Sequence, residues 1–189
     1  MTYLVSFALL VALIAWMVGV YNNLDHLRGV VCNCWCQWRK VTRQRNECLA
    51  DFTALFSMLM PQGDPLPRDL RRMREDSERT LALALEPRWG KVHGFVGGAE
   101  QLLRHAVEES MHVVAASPVM RSHASLQHLC SNMEISLYQQ EQMTTLFNRA
   151  VAEYNAALVA PSARFLAPIM GFSAADALEE RYEKPRSAT

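Results

Sequence analysis

Apolar residues run without a break at the start of the chain and become periodic after it. Residues 4–20 (LVSFALLVALIAWMVGV) contain no charged side chain. At about 1.5 Å per residue a helix of this length covers roughly 25 Å, slightly less than the hydrocarbon core of a bilayer. Tyr3, Trp16 and Tyr21 suit the headgroup level, where an amphipathic ring keeps its body in lipid and its polar tip wet. Residues 21–60 hold no proline and a single glycine. This predicts one rod running from the transmembrane segment into the following domain and broken only at Pro61, Gly63 and Pro65.

Past Pro67, the positions Leu70, Met73, Ser77, Leu81, Ala84 and Leu85 recur at helical spacing, with charged residues on the other sides, and predict an amphipathic second helix ending near Pro87. The glycines at 90, 94, 97 and 98 mark a loop grading into a third helix, whose apolar face is Val96, Leu103, Ala106, Val107, Met111 and Val114. Ser117 and Pro118 form a helix start, because serine caps free amides and proline is tolerated in the first turn. The long fourth helix carries a stripe of Leu126, Leu129, Met133, Leu137, Phe147, Val151, Tyr154 and Leu158, interrupted by Gln140 and Thr144 and stopped at Pro161. A short helix is expected over residues 174–182, followed by a polar, frayed end. No sustained period-two alternation predicts a strand. The expected fold is all-α: an N-terminal transmembrane helix continuing into an antiparallel bundle of about four helices. The expected division is an anchor at 1–21, a helical bundle at 22–172 and a tail at 173–189.

Charge then sets the orientation. Lys plus Arg and Asp plus Glu both count 19, so no broad basic surface for nucleic acid is implied. Arg28, Arg39, Lys40, Arg43 and Arg45 all follow the apolar run, which by the positive-inside rule places the N-terminus outside and the domain in the cytoplasm. A cleaved signal peptide is disfavoured, since only Met1, Thr2 and Tyr3 precede the run and no small-x-small site follows it before Arg28. A lipidated Cys32 is disfavoured because Asp25, His26 and Arg28 intervene. The five cysteines are an odd number and suit a reducing compartment.

The run Tyr21, Asn22, Leu24, Leu27, Arg28 and Val31, then Trp35 and the cluster Arg43, Arg45 and Glu47, resembles the N-terminal signature of the LemA family. At the far end, Ser117-Pro118, Leu126-Gln127, the paired Phe147-Asn148 and Tyr154-Asn155 with Val151 between, then Pro161, Ala167, Gly171 and Phe172 are similar to that family's later elements, in order. The resemblance covers most of the chain. It implies a membrane-anchored helical bundle without an assigned reaction, in a family whose members include a magnetosome-associated protein. The chain departs from the family where it carries Cys48, Leu49, Ala50 and Asp51 after the basic cluster, and Leu137 and Thr144 on the last long helix.

Candidate chemistry is sparse. Cys32, Cys34 and Cys36 form a CNCWC segment, and thiolates bind soft metals. On a helix, however, Cys32 and Cys36 share a side while Cys34 points elsewhere. Small packing residues or thiols are the simpler account. Among the six histidines, His26, His93, His105, His112, His123 and His128, only Glu109 and His112 form the Glu-x-x-His pair of a bundle metal site, and its second copy is missing. Ser110 and Ser125 lack a nucleophile elbow, and Gly97-Gly98 lacks the frame of a phosphate loop. The basic cluster reads as a topology determinant on a solvated helix face. The expectation is a membrane-anchored scaffold or interaction protein, neither catalytic nor cofactor-dependent. Its partners would be the lipid bilayer and other membrane or cytosolic proteins or a second copy, with no nucleic acid and no small-molecule substrate. The alternative is a metal- or redox-responsive membrane protein using the cysteine cluster.

Overall fold

The computed structural model describes residues 2–85, 87, 89 and 95–178. The expectations for His93, Gly90, Gly94 and the tail beyond Leu178 lie outside those residues. The described chain is all-helical: α1 (Thr2–Leu59), α2 (Leu66–Leu83), α3 (Phe95–Ala116), α4 (Pro118–Arg121), α5 (Ala124–Val159) and α6 (Leu166–Ile169). Among the described residues the sole β pairing is an isolated antiparallel bridge between Trp89 and Ala175.

The 58 residues of α1 make a rod of about 87 Å. Its first part is a candidate membrane span: the most apolar 18-residue window of the helix is 6% buried, whereas the core helix of a soluble protein would be mostly covered. From Leu24 onward the same helix turns a buried seam toward the rest of the chain. Leu24, Val31, Trp35, Trp38, Thr42, Arg45, Leu49, Phe52 and Phe56 are all buried, spaced by alternating steps of four and three residues once half-buried Arg28 is included. On α5, Leu126, Cys130, Met133, Leu137, Gln140, Thr144, Phe147, Val151, Tyr154 and Leu158 follow the same rhythm. Two seams of this kind pack along their length because the same face recurs every seven residues.

The pairing is antiparallel and in steady register. Trp35 meets Phe147 with ring centroids 5.3 Å apart. The Trp38 indole N–H donates to the Thr144 hydroxyl at 3.0 Å, and Gln140 donates to the Thr42 hydroxyl at 3.4 Å. Each step along α1 is thus matched by an equal step back along α5. Continued upward, this register puts Pro161, just past the end of α5, at the height of Tyr21, where the apolar run of α1 ends.

The core falls into two clusters. The distal one gathers Leu49, Phe52, Phe56, Leu70, Leu103, Val107, Val114, Leu126 and Met133 from α1, α2, α3 and α5. Phe52 and Phe56 stack at 5.4 Å within it. The proximal one joins Leu24, Val31, Trp35, Trp38, Phe147, Val151 and Tyr154 to Leu81, Ala84 and the segment from Ala163 to Leu178. Gly63, with φ of +94°, makes the turn between α1 and α2.

Two elements differ from expectation. The Ser117 side chain accepts from the Met120 amide and Pro118 opens α4, as expected, but the helix lasts four residues. His123 is extended (φ −85°, ψ 102°) and α5 starts afresh at Ala124, so buried Met120 plugs the distal core from a separate turn. The short helix expected over 174–182 does not form across its described part. Residues 172–178 carry no helix, and side chains of α5 claim their backbone hydrogen bonds.

Phe52 is fully buried at the centre of the distal core. Phe52→Ala is expected to lower the unfolding free energy in detergent by about 3–5 kcal/mol. The exposed Val119→Ala is expected to stay within about 0.5 kcal/mol in the same urea titration.

Candidate functional site

Between the two apolar clusters lies a layer of buried polar side chains. Arg45 on α1 has no exposed surface. Its Nη1 donates to Glu100 Oε2 on α3 at 2.5 Å and to Gln140 Oε1 on α5 at 2.7 Å. Its Nη2 donates to Asn46 Oδ1 at 2.6 Å and to Ser77 Oγ on α2 at 3.3 Å, and Nε donates to Asn46 Oδ1 at 3.2 Å. All five N–H directions of the guanidinium are thereby occupied. Glu100 accepts three bonds: Oε1 accepts from Ser77 at 2.5 Å and Oε2 accepts from Gln140 at 2.7 Å as well as from Arg45. Asn46 donates to Ser77 at 3.0 Å. All four long helices therefore meet at a single ion pair, α1 through Arg45 and Asn46 and the others through one residue each.

A buried charge is tolerated when it is paired and its remaining hydrogen-bonding capacity is met. Arg45 has no N–H left for a ligand, whereas Glu100 keeps one lone-pair site on Oε1. An open cleft of about 310 Å³ borders the layer, with Trp38, Glu100, Gln140 and Thr144 among its lining and Arg104 and His105 farther along α3. On the neighbouring surface Arg104 pairs with Glu141 at 3.5 Å, and His105 lies 3.7 Å from Glu108.

A second polar device closes the proximal end. The Asn155 carboxamide accepts from the Ala175 amide at 2.9 Å and donates to the Ala175 carbonyl at 2.8 Å. Asn148 does the same to Leu178, at 2.8 and 2.9 Å. The spacing is geometrically matched. Seven helical residues rise about 10.5 Å, and three extended residues span about 10 Å, so asparagines one heptad apart meet backbone groups three residues apart. The Tyr154 hydroxyl donates to the Ser173 carbonyl at 2.9 Å. Gly171, at φ +77°, makes the turn that delivers the segment. Arg28 lies over the Trp89 ring at 4.8 Å, and Trp89 meets Tyr154 edge-on at 5.5 Å.

Several residues singled out from sequence come together here. Tyr21 meets Phe172 at 5.5 Å, and Arg28, Trp35, Tyr154 and Asn155 share the proximal end with Leu24 and the partly buried Leu27. Asn22, Arg43 and Pro161 are exposed. Arg45 overturns the expectation of a solvated basic face. It occupies a seam position, three residues after Thr42 and four before Leu49, and so points inward. Arg39 is half-buried and donates to the Leu81 and Leu85 carbonyls at 3.2 and 3.0 Å, where a cation suits the end of α2. Lys40 and Arg43 remain exposed.

The candidate metal ligands do not assemble. Glu109 and His112 lie on the exposed face of α3, Cys36 is exposed, and Cys34 packs against the proximal core. Among the described residues no group of three or more His, Cys, Asp or Glu side chains could hold a metal ion. The five cysteines form no disulfide. Burial first, and then the carboxylates of Asp51 and Glu134 respectively, push the Cys48 and Cys130 thiols above the ordinary range, which makes both poor nucleophiles at neutral pH. Ser110 is buried and donates to the Ala106 carbonyl.

Glu100, Ser77 and Asn46 carry no sequence motif that marks them as a site. Gln140 is visible as a break in the α5 stripe, opposite the break that Thr42 and Arg45 make in the α1 seam. That coincidence of polar seam positions is the signal the sequence offers. Comparison with protein-family models and with curated proteins finds no match to this chain.

Removing one partner of the ion pair leaves a buried charge. Arg45→Met is expected to lower stability by about 3–5 kcal/mol, and adding Glu100→Leu to it is expected to recover a large part of that loss. Denaturant midpoints of the two single variants and the double variant check this coupling.

Burial pushes the Tyr154 hydroxyl above its ordinary range, with Arg28 opposing and Cys32 adding to the rise. The folded state thus holds the phenolic proton to higher pH than the unfolded chain. The contribution is fully present below the unfolded tyrosine pKa, about 10, and lost as pH rises through the folded value. Tyr154→Phe is expected to cost about 0.5–1.5 kcal/mol at neutral pH and to flatten the alkaline loss of stability relative to the parent chain. Parallel urea titrations at neutral and alkaline pH measure both effects.

Proposed function

We propose that this chain is a non-catalytic, membrane-anchored helical scaffold. Its first helix sits in a bacterial inner membrane, with the N-terminus outside and the bundle in the cytoplasm. There the bundle presents helical surface to membrane or cytosolic partners, or to a second copy. The observation that carries this reading is the continuity of α1: one helix without proline is exposed and apolar over residues 4–20 and is the central rod of the bundle from Leu24 to its end. A span built this way transmits its position and tilt directly to the domain, as suits a protein whose work is to hold a surface at a fixed place.

The fully used donors of buried Arg45 support a structural role for this guanidinium. The cations at Arg28, Lys40 and Arg43 support the cytoplasmic placement. The proposed kinship with the LemA family draws support from the roles its signature positions take here. Tyr21, Arg28, Trp35, Tyr154, Asn155 and Phe172 knit the two ends of the chain together beside the span.

The expected topology is a C-terminal tag protected in intact spheroplasts and exposed after lysis. Mild-detergent purification after crosslinking in native membranes is expected to recover a stoichiometric partner or a homo-oligomer. A tag cleaved from the periplasmic side defeats the orientation, and a monodisperse monomer with nothing attached defeats the scaffold.

A further inference from the structure

The proximal end of the bundle carries an apolar surface that the fold does not use. Past the end of α5 the backbone makes helical turns from Ala160 through Met170: Ala163 and Arg164 donate to the Ala160 carbonyl, Leu166 and Ala167 to that of Ala163, and Met170 to that of Leu166. Ala163 and Ala167, one turn apart, face inward and are buried in the proximal core cluster that includes Leu24. Phe165 and Ile169, also one turn apart, face away and are 70% and 81% exposed; Val159, at the end of α5, is 70% exposed. Large apolar side chains bared together on one short turn mark a contact surface.

Its height and charge identify the contact. The α1–α5 register and the Tyr21–Phe172 ring pair place this turn level with residues 20–24 of α1, where the apolar run ends and the interfacial layer of a bilayer would begin. From Tyr154 to Ala175 the sequence has no acidic residue, and its one formal charge is Arg164, which lies over the Phe165 ring at 4.9 Å. The flanking positions of α1, from Val18 to Asn23, carry no charge either. The apolar surface of the span thus continues onto the turn without crossing a charged belt. An aromatic and two aliphatic side chains beside an arginine match the boundary between acyl chains and phosphate groups.

We propose that the α5–α6 turn is a second membrane contact: Val159, Phe165 and Ile169 enter the interfacial layer of the bilayer that α1 spans, and Arg164 meets lipid phosphate. The inference rests on reading residues 4–20 as a span. Two contacts on one rigid body fix its tilt and rotation, which a single helix leaves free.

The test places the photocrosslinker p-benzoylphenylalanine singly at Leu10, Phe165, Ile169 or Tyr138 of the full chain in vesicles of phosphatidylcholine and phosphatidylglycerol. Lipid adducts are read by mass spectrometry. Leu10 reports the span, and Tyr138, exposed near the middle of α5, reports the bundle side. Lipid adducts are expected at Leu10, Phe165 and Ile169 and none above background at Tyr138. Adducts at Leu10 without adducts at Phe165 and Ile169 overturn the second contact and leave the span standing. Adducts from Phe165 or Ile169 to another protein chain instead of lipid overturn it in favour of a protein interface. Absence of adducts at Leu10 removes the span and this inference with it.

Discussion

A guanidinium with no solvent and five hydrogen bonds holds the four long helices in one register. Arg45 is reached by Glu100 from α3, Gln140 from α5 and Ser77 from α2, and it stands on α1 beside Asn46. Apolar seams alone tolerate slippage, because sliding one helix by a heptad brings leucine against leucine again. Sliding α5 by a heptad would move Gln140 from Arg45 and leave two buried charges short of partners. Such a layer adds little net stability over a well-packed apolar replacement, since desolvation offsets much of the Coulombic gain. What it supplies is discrimination between the correct pairing and its shifted relatives.

That fixed register has consequences at both ends. On the distal side, α2 and α3 cover the seam and the core closes in the manner of a four-helix bundle, plugged by Met120. On the proximal side the long pair is covered by the end of α2, Trp89 and the returning segment from Ala163 to Leu178. An extended segment brings unpaired amides and carbonyls into a helical environment. Asn148 and Asn155 meet that need by presenting a donor and an acceptor each, at a spacing set by helix and strand rise together.

The long apolar elements were legible in the sequence because period and length fix them: the rod ending near Pro61, the α2 stripe, the Ser117-Pro118 start and the stop at Pro161 all stand close to where spacing put them. The extended segment was not legible, because Ala174, Ala175 and Leu178 are good helix formers and local propensity favours a helix. Tertiary bonds from asparagines some twenty to thirty residues upstream override it. The Phe147-Asn148 and Tyr154-Asn155 pair was visible as a repeat, but its purpose depends on a partner whose conformation it creates. Arg45 shows the same limit in reverse. Read with Arg39, Lys40 and Arg43 it looks like one of four surface cations, and only its place in the four-three rhythm distinguishes it.

Continuity between the candidate span and the bundle ties these features together. The same α1 seam that begins at Leu24 follows directly on the apolar run, and α1 passes Gly19 and Gly29 without interruption. A tilt imposed on the first turns is carried to Arg45, about 30 Å down the axis from Asp25, and through it to α2, α3 and α5. The proximal clasp acts on this lever near its fulcrum. By tying Phe172 to Tyr21 and the backbone at Ala175 and Leu178 to α5, it closes the chain into a ring of contacts just below the candidate span. Rigidity there fixes the direction in which the candidate span leaves the bundle.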